Sequence, residues 1–121
     1  MKKNQEFNTC TFPEFKDDRG SLVVWENSDL PFRPARTFCI SNVPTGKVRA
    51  SHSVSSALMI TAINGSVCVV LNRSERIFLN NKCKGLLIPE GTFIELMDFS
   101  ESASILVFAE KPYKATTYYE K

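Results

Sequence analysis

The chain has 121 residues and one histidine, His52, set in the stretch VPTGKVRASHSVSSALMITAINGS (residues 43–66). An imidazole ordinarily titrates at about 6.5, so it is the natural choice for general acid–base work at neutral pH. A lone strand histidine can equally well serve packing alone, and both readings are open at this point. Ser51, Ser53, Ser55 and Ser56 crowd around it, yet no base–carboxylate pair accompanies them to make a nucleophile. They read as loop or strand polarity. The four cysteines (Cys10, Cys39, Cys68 and Cys83) form no C-x-x-C pair and have no companion histidines, so a zinc site is not expected. They read as reduced thiols in cytoplasm and as small core hydrophobes.

Strands are expected to position these groups. The segments 21–26, 35–43, 57–63, 66–72, 76–80, 85–89, 92–98 and 104–110 are rich in β-branched, aromatic and sulfur residues. Turn residues separate them, among them Asp18-Arg19-Gly20, Pro44-Thr45-Gly46, Asn64-Gly65 and Pro89-Glu90-Gly91. Short strands at this spacing, without helical periodicity, predict one all-β domain over residues 1–121, a sandwich or barrel. The Asn64-Gly65 pair between two apolar segments predicts a tight hairpin. The polar ends, before Thr9 and after Thr116, are expected to lie as arms against a neighbour, and an exchanged edge strand is one way to cover an open sheet edge.

Composition narrows the function classes. Fifteen basic and thirteen acidic residues give a net charge of +2 and are scattered along the chain, so nucleic acid is not an expected partner. The lysines at the N-terminus precede no apolar run, and no stretch reaches transmembrane length, so neither export nor membrane insertion is expected.

Spacing adds more. Five residues separate Gly46 from His52, one separates His52 from Val54, three separate Val54 from Leu58, and six lead on to Gly65. Downstream, Pro89-Glu90-Gly91 is followed by Ile94 as the third residue after the glycine. This layout resembles the paired motifs of the cupins, which implies a jelly roll, or double-stranded β-helix. The positions that hold metal in metallocupins read His52, Val54, Leu58 and Ile94 here. A first-row metal needs several N, O or S ligands, so no metal and no other cofactor is expected.

A narrower resemblance runs through FPEFKDDRGSLVVWE, PFRPARTFCISNVPTGKVRASH, GLLIPEGTFIELMDFS and ILVFAEKPYKATTYY. Together they are similar to the dTDP-sugar 3,4-ketoisomerases, metal-free cupins that move a carbonyl between C4 and C3 of a dTDP-linked 6-deoxyhexose. The resemblance implies a dTDP-sugar ligand, passage through an enediol and a homodimer with an exchanged terminal strand. It also implies that His52 is the base. The family's R-G-x-H-A-H reads Arg49-Ala50-Ser51-His52-Ser53-Val54 in this chain, so the second histidine is a valine. The family's glutamine falls on Leu58, its aromatic pair on Phe38-Cys39, and its Trp-His on Phe93-Ile94. Arg49, Arg19 and Arg36 are candidates for the nucleotide's phosphates, because guanidinium matches phosphate bidentately. Trp25 and Phe93 are candidates for stacking on thymine. For each a plain alternative exists, an ion pair or solvation for the arginines and core packing for the aromatics. Three functions stay open: an active ketoisomerase, a non-catalytic cupin that binds a nucleotide sugar or a partner, and a related enzyme acting on another sugar.

Overall fold

The protein is described as a computed structural model covering residues 9–119. It comprises β1 (Thr9–Thr11), β2 (Glu14–Asp17), β3 (Gly20–Val23), β4 (Arg36–Ser41), β5 (Arg49–Val54) and β6 (Leu58–Asn64). These are followed by β7 (Val67–Leu71), β8 (Glu75–Leu79), β9 (Lys84–Ile88), β10 (Phe93–Met97), β11 (Ser104–Ala109) and β12 (Tyr118–Tyr119). One sheet has the order β1-β9-β6-β11-β4, a second has β12-β5-β10-β7-β8, and β2 and β3 form a separate hairpin. Every pairing is antiparallel. Among the described residues no helix is long and apolar enough to cross a membrane.

Period-two alternation explains the core. Ile60 and Ala62 of β6, Ile105 and Val107 of β11, and Leu86 and Ile88 of β9 face the second sheet, where Val67, Val69, Ile94 and Leu96 meet them. The alternate residues Met59 and Phe108 point to the opposite side of the first sheet, where Phe12 covers them with help from Val23, Trp25, Leu30 and Phe32. Strand β6 is therefore buried on both faces, which is why its sequence LMITAI does not alternate and is apolar but for Thr61, whose hydroxyl donates to the Lys84 carbonyl at 2.8 Å.

Two expectations change. Asn64-Gly65 does not close a hairpin, because β6 lies in one sheet and β7 in the other. It turns the corner between sheets, with Gly65 at φ +71°. The Ser66 amide donates to Ser100 Oγ at 2.9 Å, and Asn64 Nδ2 donates to the Ser102 carbonyl at 2.8 Å. The tight turn of this sheet instead joins β7 to β8, where Asn72 and Arg73 have φ of 52° and 59°. Of the cysteines, Cys68 is buried, Cys10 and Cys83 are half-buried and Cys39 is exposed, so only one is a true core residue.

Candidate active site

Strand β5 carries a bulge at the site. Ile94 pairs with His52 and Glu95 with Ala50, leaving Ser51 as the extra residue. Ala50 and Ser51 both take left-handed conformations, φ 71° and 65°. The bulge turns Arg49, Ala50 and His52 toward one cavity, which strict alternation cannot do for the adjacent residues 49 and 50.

That cavity has a volume of about 280 Å³, near the lower end of the roughly 300–1,000 Å³ usual for small-molecule sites. Val54, Leu58 and Ile94, the positions where ligand-type residues are replaced, are buried in its apolar wall and leave the space open. The polar groups in its lining are His52, Arg36, Arg49 and Tyr118. Among the described residues no group of three or more His, Cys, Asp or Glu is arranged to hold a metal.

The first sheet ends at β4 and the second at β12, so Arg36 and Tyr118 project from opposing sheet edges. Arg36 Nη1 donates to the Tyr118 hydroxyl at 2.8 Å, closing the gap between them. The guanidinium carbon lies 5.2 Å from the Phe38 ring centre, 5.5 Å from Tyr113 and 6.0 Å from Tyr118. Each contact of this kind is worth about 0.5–1 kcal/mol at an exposed site. Together they fix the guanidinium in place. Its Nε and Nη2 are buried and have no partner among the described residues, and the same holds for His52 Nδ1. A buried polar atom left unpaired costs about 1–3 kcal/mol, so the two guanidinium N–H groups are poised for an acceptor, and the imidazole nitrogen for a polar partner, brought by a ligand. The His52 and Tyr118 rings meet edge to face at 5.1 Å.

A family model described as "FdtA: WxcM-like, C-terminal" matches residues 5–121. The chain belongs to that family. A TDP-4-oxo-6-deoxy-alpha-D-glucose-3,4-oxoisomerase from Aneurinibacillus thermoaerophilus is 30% identical over 118 residues, covering 93% of this chain and 85% of the relative. A double variant of the QdtA 3,4-ketoisomerase from Thermoanaerobacterium thermosaccharolyticum, solved with TDP, superposes with a TM-score of 0.86 at 30% identity. That match covers 94% of this chain and 86% of QdtA. The WlaRB TDP-quinovose 3,4-ketoisomerase from Campylobacter jejuni has a TM-score of 0.86 at 27% identity, over 98% of this chain and 95% of its own.

Within this FdtA-family chain the sequence-derived candidates divide. His52, Arg36 and Arg49 share the cavity, with Arg49 exposed at its rim. Arg19 lies in the exposed turn of the β2–β3 hairpin, where it donates through its backbone N–H, Nε and Nη2 to the Asp17 carboxylate. Those bonds hold Asp17 below the usual carboxylate range. Trp25 packs against Phe12 with ring centres 6.4 Å apart, in the cluster on the far side of the first sheet. Phe93 precedes the inward-facing Ile94, so alternation turns it outward, where Arg73 covers its ring at 4.4 Å. Tyr118 is the site residue that the sequence reading missed. It lies at the end of the segment ILVFAEKPYKATTYY, where no residue type or spacing points to the cavity, and only pairing with β5 brings it to His52.

Proposed function

We propose that the protein is a dTDP-linked 6-deoxyhexos-4-ulose 3,4-ketoisomerase, with His52 as the carbon base. Arg36 stabilises the oxyanion that forms on the sugar, and Arg49 meets the diphosphate at the rim. The observation that carries this reading is the convergence of one imidazole and a caged guanidinium with unpaired donors on a single apolar cavity. Moving a carbonyl from C4 to C3 requires removing the C3 proton while negative charge builds on O4. An imidazole can supply the first, and preorganised N–H donors in a largely apolar pocket supply the second. The names of the relatives support the substrate class. By this reading the enzyme works in the cytoplasm, on an activated deoxysugar destined for surface polysaccharide such as lipopolysaccharide. It works as a homodimer that exchanges a terminal strand. Within the described residues β1 pairs with β9 and β12 with β5 of the same chain, so an exchange would have to involve the segment before Thr9 or replace one of these pairings.

The apolar wall at Val54, Leu58 and Ile94 favours a second reading, a cupin that binds the nucleotide sugar without turning it over. One experiment separates the two. The protein is incubated with dTDP-4-keto-6-deoxyglucose and the ring carbons are followed by NMR. The isomerase reading expects a 3-keto product whose rate falls about 10²–10⁴-fold in His52→Asn. Tight dTDP binding with neither turnover nor deuterium uptake from solvent would leave the binding protein. Light scattering on the same sample is expected to give twice the chain mass, and a monomer would remove the exchanged dimer.

A further inference from the structure

We propose that Tyr118 is a second acid–base residue, whose phenol carries a proton between the two sugar oxygens while His52 handles the proton on carbon. This rests on the ketoisomerase reading and adds a residue to it.

The reaction itself sets the requirement. Converting C4=O and C3–H(OH) into C3=O and C4–H(OH) moves two protons. Breaking the C3–H bond sends its electron pair into a C3=C4 double bond and pushes the carbonyl pair onto O4. O4 then takes a proton. In the second half O3–H is lost as C3=O forms, and the C3=C4 pair takes the proton at C4. No electrons are gained or lost overall, so no oxidant or reductant is needed. While His52 holds the carbon proton as imidazolium, another group must deliver one proton to O4 and collect one from O3.

The cavity offers little choice. Its lining includes Arg36, Arg49, His52 and Tyr118, and the rest of the wall is hydrocarbon. A guanidinium does not release its proton at neutral pH, so both arginines can stabilise charge but cannot relay. A phenol can do both jobs. Tyr118 stands directly across the strand pair from Val54, on the same wall as His52 and with the two rings 5.1 Å apart. Its oxygen accepts from Arg36 Nη1 at 2.8 Å. Its own O–H is therefore free to donate to the sugar, and the guanidinium stabilises the phenolate left behind. Arg36 thus has two tasks: one nitrogen holds the relay, and the unpaired Nε and Nη2 serve the oxyanion.

The test is Tyr118→Phe, which keeps the ring against His52 and Arg36 and removes only the hydroxyl. Substrate is incubated in D2O, and both ketone turnover and deuterium uptake at C3 are measured. The proposal expects kcat to fall about 10²–10³-fold while uptake at C3 stays within about tenfold of wild type. His52 would still open the C–H bond, and the enediolate would return to substrate. Turnover within about twofold of wild type would overturn the proposal. So would parallel loss of exchange and turnover, since Tyr118 would then only position His52. If Tyr118→Phe does not fold, fluorotyrosine at the same position lowers the phenol pKa and must shift the pH profile of kcat, and an unshifted profile overturns the relay. A wild-type protein showing neither turnover nor exchange removes the ketoisomerase reading and the relay together. An active wild type with an indifferent Tyr118→Phe removes the relay alone.

Discussion

Ala50 shows how much local strain the site holds. It sits at φ +71° and Ser51 at +65°, a region that costs a non-glycine residue about 1–2 kcal/mol. Glycine, which lacks a Cβ, adopts such a φ freely. Ala50→Gly is therefore expected to raise stability, offset in part by about 0.5–1 kcal/mol of added freedom in the unfolded chain. The net gain should lie between zero and about 1 kcal/mol, read from the urea midpoint. A midpoint that falls would mean that the Ala50 methyl contributes more by packing against the core than the strain costs. At this scale the sequence was partly readable. His52, Arg36 and Arg49 stand out by type and spacing, and all three meet in the cavity. Tyr118 could not be found in the same way, because its partner Arg36 is 82 positions away and no local pattern marks a tail tyrosine as functional.

Strands β6 and β7 illustrate which elements a linear reading recovers and which it misplaces. Both were visible as apolar runs, yet the Asn-Gly pair between them signals a hairpin as readily as a corner. What decides is pairing with β9, β11 and β10, none of which is adjacent in sequence. Strand β5 was not among the expected strands because RASHSV has a single β-branched apolar residue, its inward face being given to the cavity. Strand β2 was hidden similarly, as EFKD is exposed over three of its four residues. The corner makes its own prediction. Gly65 is at φ +71°, and an added Cβ would collide with Ser100 Oγ and press on Ala103. Gly65→Ala combines backbone strain with loss of the Ser100 bond to the Ser66 amide, for a cost of about 2–3 kcal/mol. That corresponds to a fall of about 1–2 M in the urea midpoint. An unchanged midpoint would show that the corner can open without penalty.

Beside the β2–β3 hairpin, the molecule is built on two sheets that share a core and are bridged at one pair of edges by side chains of β4 and β12. Arg36 and Tyr118 form that contact, and the unpaired guanidinium nitrogens lie beside it. A nucleotide sugar seated there would bond to groups from both sheets at once, so its binding energy acts against global unfolding rather than on one loop. Linkage then gives the size of the effect. A ligand present at about 100 times its Kd stabilises the folded state by about 2.7 kcal/mol, or about 10 °C in Tm for a chain of this length. Titration with the nucleotide sugar dTDP-4-keto-6-deoxyglucose, followed by calorimetry, is expected to show that rise growing with the logarithm of concentration. Arg36→Lys should shrink it, because a point charge cannot keep both the Tyr118 bond and two further donors in one plane. A charge-assisted hydrogen bond is worth about 1.5–3 kcal/mol, so the Kd should rise about 10–100-fold. Because Arg36 is only half-buried, the unliganded Tm should change far less than the liganded one. Equal losses in both states would assign Arg36 to holding the sheets together rather than to holding the ligand.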